Sequence, residues 1–339
     1  MNAVEMKRFK PLLHRAFSDI DSASMPKTVN ELVAENGLDS LIFHEAAIYS
    51  LIKRDGKPFH VAETLWKDAL TMASTSEKIM GSDMLSDFLT NVMRMYVSKN
   101  SNKLYGQGEA LLRVAETILF AVDKDSSEKS IESVIPLELY KPLIVRNWYR
   151  AETAKSVIDL CERVISLYQQ GYNNLRPDQE FFLGYLKATA VASDNVEDLT
   201  RILDDMANLF KETQDFSCKP HADAFNVVLL AVKNNKSLSP DKAWQSAQAI
   251  WNKMMDLRVT PDTKTINFVM QSIIKSGDSK KAYAVVVDLF KKFEQFGLEP
   301  DAHTYHQVIV ACGQARPNDR EAALELCLRA FGEIRKKKA

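Results

Sequence analysis

The residue types that carry chemistry in most proteins occur in this chain without the spacing that a reaction needs. His303 and His306 form a close pair, but no cysteine or carboxylate ligand set accompanies them, so we interpret them as surface and hairpin residues rather than metal ligands. The segment Gly106-Gln107-Gly108 lacks a preceding strand and a following Lys-Ser or Lys-Thr, which predicts a helix start instead of a phosphate-binding loop. We therefore expect a non-enzyme with no metal and no other cofactor.

Composition removes further classes of protein. The low count of 11 glycines argues against the dinucleotide-binding and barrel folds of many enzymes. No apolar stretch approaches the roughly 18–20 uncharged residues of a transmembrane helix, so we expect no membrane partner. Four cysteines are scattered along the chain without a Cys-x-x-Cys pair: Cys161, Cys218, Cys312 and Cys327. That pattern indicates reduced, buried thiols in a non-secretory compartment.

The elements that would position any site are set by a junction that recurs four times. A proline followed by Asp or His closes one helical pattern and opens the next, at Arg176-Pro177-Asp178, Lys219-Pro220-His221, Thr260-Pro261-Asp262 and Glu299-Pro300-Asp301. The prolines lie 43, 41 and 39 residues apart. Proline ends a helix because it has no amide hydrogen and moves its predecessor out of the α region, and Asp or Thr can cap the next helix. The spacing predicts a helical repeat array.

Positions counted from each junction carry the same residue class. Four residues after the Asp or His comes a bulky apolar residue: Phe182, Phe225, Ile266 and Tyr305. Ten residues after the same Asp or His comes a small residue: Ala188, Ala231, Ser272 and Ala311. Ten residues before each proline comes a large apolar one: Leu167, Phe210, Trp251 and Phe290. Each unit is therefore predicted to be helix, turn, helix, with the small residues allowing close helix packing.

The amino-terminal half shows helical periodicity with looser punctuation. Apolar residues recur at helical spacing in 40–53, 59–73, 83–98, 107–122, 137–150 and 152–170, which pair into three further hairpins. Polar breaks fall at 55–58 and 98–102, and the charged stretch Asp123 to Ser130 is the candidate mobile loop. The sequence contains no alternating Val- or Ile-rich run bounded by turn residues, so we expect no strands. The predicted fold class is all-α, an α-solenoid of stacked antiparallel helical hairpins.

These junctions resemble those of the pentatricopeptide repeat proteins, whose helical hairpin ends in a Gly-x-x-Pro-Asp-like turn. The copy Thr263 to Asp301 is most similar, with Gly297 and Pro300-Asp301 in phase, and the copy Ala222 to Asp262 has Arg258 where the family has Gly. Both copies have a second helix about one turn longer than the family's. Tetratricopeptide repeats fit less well, because their Trp-Leu-Gly-Tyr signature is absent. The resemblance implies a right-handed superhelix.

The resemblance also divides the chain. An amino-terminal helical segment, 1–38, would be a targeting or cap region, and residues 39–178 would form degenerate hairpin repeats. The family-like part, 179–339, contains four copies: 179–221, 222–262, 263–301 and 302–339. The nuclease and deaminase motifs that some family members append are absent from this sequence.

By resemblance, the chain is expected to bind single-stranded RNA in organellar RNA processing, stability or translation. In the family, the fifth and last residues of a repeat discriminate the base, which carries over to Asn226 with Asp262 and to Asn267 with Asp301. An Asn and Asp pair implies uridine in preference to cytidine at these two repeats. The second residues, which pack against the base in the family, are Asp223, Lys264 and His303, and His306 is added to the candidate RNA contacts. The earlier pair, Leu183 with His221, reads no base.

Two alternatives remain open at this stage. The four Asn and Asp residues sit where helix caps belong, so they could cap and bridge adjacent units with no RNA present. The same repeats could also hold a protein partner on their concave face, as the acidic first half favours. Charge is divided along the chain: residues 219–339 carry 19 Lys and Arg against 13 Asp and Glu, whereas residues 1–218 carry 25 against 32. A basic half suits an approach to phosphates, although solvated lysines also produce such an excess.

The family resemblance implies a mitochondrial location, with the plastid as the alternative. The segment Met6 to Phe17 is basic and amphipathic, as in a transit segment, whereas Glu5, Asp19 and Asp21 argue against one. The array ends without an obvious polar capping helix, which leaves open that further repeats follow residue 339.

Overall fold

The computed structural model describes residues 3–36, 41–53, 59–75, 83–96, 102–125, 136–276, 278–315 and 319–338. These residues form sixteen α-helices and no strand, which confirms the predicted all-α fold. The chain divides into two compact units, Met1–Gly184 and Tyr185–Ala339. Within each unit, neighbouring helices pack as in a helical repeat solenoid. In the described residues, no helix is both long and apolar enough to cross a membrane.

The first unit is built from helical pairs joined by short connections. Its helices are α1 Ala3–Ser18, α2 Met25–Asn36, α3 Leu41–Lys53, α4 Phe59–Ser74, α5 Asp83–Tyr96, α6 Asn102–Asp125, α7 Lys141–Asn147 and α8 Ala151–Gln169. Helix α3 packs on α4, α5 on α6 and α7 on α8, which are the three hairpins that the periodicity predicts. Helix α3 also packs on α5, so successive hairpins are stacked.

Three predictions for this unit need correction. The candidate loop at 123–130 is wrong at its start, because α6 continues to Asp125, and residues 126–130 lie outside the described residues. Gly106-Gln107-Gly108 does not start a helix but lies in the second turn of α6. The segment 137–150 is divided into a 3₁₀ turn, Leu137–Leu139, and α7, since Pro142 fits only the first turn of a helix. The break at 55–58 lies outside the described residues, as does 98–101.

Two hydrogen bonds between buried groups of the first unit join residues that are far apart in the sequence. Trp66 is fully buried, stacks on Phe88, and donates its indole hydrogen to the Leu111 carbonyl at 2.9 Å. Burial raises the pKa of Glu116, which accepts a hydrogen bond from the Tyr140 hydroxyl at 3.0 Å. These contacts fix α4 and α7 against α6, because a buried donor or acceptor without a partner is costly.

The basic amino-terminal segment takes part in this packing. Helix α1 packs on α3, Phe17 is buried, and the His14 ring stacks on Tyr49 with centroids 4.1 Å apart. The second half of the segment that resembles a transit peptide is therefore part of the folded unit.

The second unit repeats one hairpin geometry. Its helices continue the series, with the unit boundary inside the first of them: α9 Gln179–Ala192, α10 Val196–Thr213, α11 Ala222–Asn234, α12 Pro240–Asp256, α13 Thr263–Lys275, α14 Ser279–Gln295, α15 Ala302–Cys312 and α16 Arg320–Lys338. The first helices of successive hairpins form a row, since α13 packs on both α11 and α15. The second helices α12 and α14 each pack on the first helix before and after them.

Several of the repeated sequence positions lie in the core of this row. Phe225 and Ile266 are completely buried and Tyr305 is 8% exposed. The small residues Ser272 and Ala311 are also buried, at the contacts of the first helices. Ala231 is only half-buried, and so are the four large apolar residues ten positions before the prolines: Leu167, Phe210, Trp251 and Phe290. An interior position is therefore confirmed for the bulky residue after each junction and for three of the four small residues.

Each of the four helices that precede a proline junction is followed within two residues by a residue with positive φ. Gly171 and Gly297 have positive φ, as do Gln214 and Arg258. Arg258, at φ 51°, adopts the conformation that glycine favours at the equivalent family position. After Gly171 and Gln214 the chain adds a 3₁₀ turn, Asn173–Leu175 or Phe216–Cys218, whereas no such turn follows the other two. These turns account for the longer distance to the next proline at the first two junctions.

We predict that Gly184→Ala destabilises the protein by about 1–3 kcal/mol, because a Cβ there would lie 2.6 Å from Cγ2 of Ile144 and force a shift in packing. Gly106→Ala in α6 is the matched control, since a Cβ at Gly106 meets nothing within 4 Å. It should stabilise by about 0.5–1 kcal/mol, as alanine does within helices. Urea unfolding of both variants measures the difference. Equal stabilities would contradict a close approach at Gly184.

Candidate nucleic-acid interface

The candidate residues are positioned by helix caps at the proline junctions. Asp262 precedes α13, accepts a hydrogen bond from the Thr265 amide at 2.7 Å, and donates its own amide to the Thr265 hydroxyl at 3.3 Å. Asp301 precedes α15 and makes the same reciprocal pair with Thr304, at 2.7 and 3.1 Å. These are capping boxes with Thr in place of the usual Glu or Gln. The local sequence Pro-Asp-x-x-Thr therefore fixes where each helix begins.

Each cap is joined to the asparagine of the preceding repeat. Asn226, in the second turn of α11, donates its side-chain amide to Oδ2 of Asp262 at 2.9 Å. Asn267 in α13 donates to Oδ1 of Asp301 at 3.2 Å. The structure thus brings together both of the Asn and Asp pairs that the resemblance selects. It also makes them bridges between adjacent repeats, which is the alternative interpretation of these residues.

The two bridges differ in their third member. Thr265 Oγ1 lies 2.8 Å from Oδ1 of Asn226 and 2.8 Å from Oδ1 of Asp262, so its single proton can be donated to either oxygen. The corresponding oxygen of Asn267 is buried and has no hydrogen-bond partner among the described residues. The amide orientation of Asn267 is still determined, because turning it over would place its oxygen against the Asp301 carboxylate. The second bridge therefore contains an unsatisfied acceptor.

The bridges leave little of the asparagines in contact with solvent. Asn226 is 8% exposed and Asn267 is 3% exposed. By contrast, Lys264 and His303, in the first turns of α13 and α15, and His306, in the second turn of α15, are all exposed. His303 Nε2 lies 3.4 Å from the Gln307 amide nitrogen on the next turn. The surface beside each bridge is thus cationic or aromatic, whereas the pair inside it is nearly closed.

The first junction of this row is different. His221 precedes α11 but makes no side-chain cap hydrogen bond. Its Nε2 lies 3.8 Å from the carboxylate of Asp223, which is exposed. Asp223 therefore presents a negative charge where the next repeat presents Lys264.

The Asp301 carboxylate is held in its charged form. Partial burial acts to raise its pKa, but hydrogen bonds from the Thr304 amide and hydroxyl and from Asn267, with the nearby His303, bring the pKa below its usual value. A carboxylate that accepts several hydrogen bonds is a weaker base than a free one. The Asp301 side chain is therefore negatively charged in the folded protein at neutral pH.

Sequence reasoning missed Thr265 and Thr304. Both follow their proline by four residues, so the repeated threonine was a usable signal for the capping box. The thiol prediction holds only in part: Cys161 and Cys218 are buried, whereas Cys312 and Cys327 are only half-buried. Within the described ranges, no group of three or more His, Cys, Asp or Glu side chains is placed to hold a metal ion.

Comparison with known proteins gives two similar sequences. No protein-family model matches the chain. A stretch of 165 residues, 48% of this chain, is 24% identical to the mitochondrial 15S rRNA processing factor CCM1 of Eremothecium gossypii, of which it covers 18%. A stretch of 110 residues, 32% of this chain, is 26% identical to the small ribosomal subunit protein mS39 of Drosophila melanogaster, of which it covers 17%. The matched parts span less than a fifth of either relative.

We predict that Thr265→Val destabilises the protein more than Thr304→Val, by about 1 kcal/mol. Both substitutions remove a capping-box hydroxyl, but only the first also removes the partner of Asn226 Oδ1. The free energies of unfolding in urea measure the two costs. If the two variants unfold alike, the hydroxyl of Thr265 does not contribute to the bridge.

We also predict that Asp301 makes stability depend on acid. Its folded pKa is lower than that of the unfolded chain, about 3.9. Its contribution is therefore complete above that value and is lost as pH falls through the folded pKa. In Asp301→Asn, which keeps a good capping residue, stability should fall less between pH 7 and pH 3 than in the native protein. Urea midpoints across this range test it; identical pH profiles would contradict the prediction.

Proposed function

We propose that this chain is a pentatricopeptide-repeat-like protein that binds single-stranded mitochondrial RNA and catalyses no reaction itself. The helical repeat fold and the proline-aspartate junctions support the family assignment. The names of the two similar proteins, one an rRNA processing factor of mitochondria and the other a ribosomal subunit protein, support a role in mitochondrial RNA processing or translation.

The observation that carries the proposal is the repeated bridge between Asn and Asp at the start of successive first helices. Asn226 with Asp262 and Asn267 with Asp301 recur at the same place in adjacent repeats, with amide-to-carboxylate distances of 2.9 and 3.2 Å. An amide next to a carboxylate supplies both donors and acceptors for the edge of a base. Two such pairs in register along one row of helices match a mode in which each repeat contacts one base.

Hydrogen-bond capacity remains in the bridge. An Asn amide has two N–H donors, and the bridge to Asp262 uses one of them. A base could accept the second one only where the amide edge reaches the surface, since Asn226 is 8% exposed. We therefore propose that RNA binding turns the asparagine outward or engages its exposed edge, while Asp262 keeps its cap.

The charges beside the bridges suit a phosphate backbone. Lys264 is exposed one residue after Thr263, at the start of α13, and residues 219–339 have an excess of basic over acidic side chains. Lys264 is proposed to neutralise a phosphate, and the exposed rings of His303 and His306 to contact the adjoining nucleotide.

A protein scaffold is the second candidate, favoured by one surface. Leu324, Leu328 and Phe331 on α16 are 61%, 63% and 55% exposed. They recur at helical spacing, so they form one apolar stripe. Such a stripe is typical of a protein contact and not of an RNA contact.

Fluorescence anisotropy with short oligouridine, oligocytidine and oligoadenine at about 150 mM salt tests RNA binding, since purely electrostatic binding is weak there. We expect oligouridine to bind most tightly. Asn226→Ala and Asn267→Ala should each weaken oligouridine binding about 5- to 10-fold, the value of one or two hydrogen bonds.

Asn235→Ala is the matched control. Asn235 ends the same helix as Asn226, and its amide donates to the Asp194 carbonyl at 2.6 Å, so its loss also removes a long-range hydrogen bond. It should leave the preference for uridine unchanged. Weak binding that is indifferent to base and to all three substitutions would reject base reading and favour the scaffold.

A further inference from the structure

The turn between α10 and α11 presents an aromatic ring to solvent. Phe216 is 71% exposed, more than any other large apolar side chain in the described part of the chain. It lies in the 3₁₀ turn Phe216–Cys218, which the junctions before α13 and α15 do not have. Most of this ring is open to solvent, so it can contact a ligand as well as its neighbours in the repeat.

The turn that carries this ring is well fixed. The Asp215 carboxylate accepts a hydrogen bond from the Ser217 amide at 2.8 Å, and the Asp215 carbonyl accepts one from Cys218 at 3.0 Å. The Cys218 side chain is completely buried. The backbone that carries the ring is therefore fixed on both sides, which lowers the entropy cost of ordering this turn when a ligand binds.

A cation accompanies the ring. Lys219 Nζ lies 5.9 Å from the centroid of Phe216 and 5.8 Å from that of Phe210. Phe210 itself meets Phe216 edge-on, with centroids 5.7 Å apart. Lys219 also donates a hydrogen bond to the Arg258 carbonyl at 3.3 Å. The ammonium group is thus fixed close to the ring, while most of the Phe216 surface stays accessible.

The ring and the cation lie at the end of the repeats that holds the candidate base sites. Lys219 precedes the first residue of α11 by three positions, and Arg258, which it contacts, precedes Asp262 by four. The next pair of junctions is also linked by a hydrogen bond from a side chain to a backbone carbonyl, from the Thr263 hydroxyl to Glu299 at 3.3 Å. Phe216, three residues before Lys219, therefore lies at the same end of the repeats as the bridge between Asn226 and Asp262.

We propose that Phe216 and Lys219 form a stacking platform for one unpaired nucleotide of the bound RNA, next to the nucleotide at Asn226 and Asp262. The base stacks on the Phe216 ring and a phosphate oxygen contacts Lys219. This inference rests on the proposed RNA-binding function. It adds a contact that does not depend on base identity, because every base has a face on which to stack.

The surroundings favour a nucleotide over a protein partner. Protein hot spots are aromatic residues within a larger apolar surface that excludes water. Among the described residues of the second unit, the other large apolar side chains with high exposure lie on α9, on α11 beyond its second turn, and on α16. A single ring beside a lysine matches the aromatic and cationic pair with which proteins hold unpaired nucleotides.

Anisotropy titration of oligouridine and oligoadenine against the full chain tests the platform. Phe216→Leu, which keeps an apolar group but removes the aromatic face, should weaken binding of both RNAs about 5- to 150-fold, the range for loss of one stacked base. Phe216→Trp should retain affinity, and its added indole fluorescence should be quenched by RNA. Lys219→Gln should reduce the slope of log Kd against log salt by about one.

Leu230→Ala controls for loss of an exposed apolar side chain, since Leu230 on α11 is 40% exposed. It should bind RNA as the native chain does, and thermal melting should show all variants folded. The ratio of oligouridine to oligoadenine affinity should stay constant in Phe216→Leu, whereas Asn226→Ala should reduce it.

The outcomes separate the two proposals. A native chain that binds neither RNA overturns both. Native binding that Phe216→Leu leaves unchanged overturns the platform alone, and loss of a protein partner by that variant would assign the ring to protein docking. Tight binding without base preference that still depends on Phe216 supports the platform and rejects base reading at Asn226.

Discussion

The aspartate at each proline junction is the constraint on which the second unit depends. The carboxylate of Asp262 caps α13 through Thr265 and at the same time accepts the Asn226 amide of the preceding repeat. One charged group therefore sets both where a helix begins and how it is placed against its neighbour. Because the same arrangement recurs at Asp301, the register of one repeat is passed to the next through the caps.

This arrangement joins stability and recognition in the same side chains. Asn226 and Asn267 are nearly buried because they connect repeats, yet they are also the groups that we propose to contact a base. A base that engages them must compete with a bridge or share it. The unsatisfied oxygen of Asn267 makes the second bridge the weaker of the two, since a buried acceptor without a partner raises the energy of the free state.

The helices of the two units are held together by different kinds of contact. The first unit relies on buried side chains paired over long distances, such as Trp66 with Leu111 and Glu116 with Tyr140. Arg163 completes the second group by contacting Glu116 at 2.8 Å. The second unit relies on a short motif at each junction. Repetition of a motif produces equivalent surfaces at regular intervals, so the candidate interface lies along α11, α13 and α15.

The sequence by itself determined the junctions and most of the helices, because proline, capping residues and apolar periodicity act within a few residues of one another. The pairing of Asn with Asp joins residues 36 and 34 positions apart, and only the resemblance to the repeat family implied it. The sequence did not reveal that Thr265 completes a bridge, that Asn267 lacks a partner for its oxygen, or that an added turn presents Phe216 to solvent. Only the tertiary structure decided these points. Each depends on how groups of separate helices or turns are oriented and buried against one another, and no local pattern encodes that geometry.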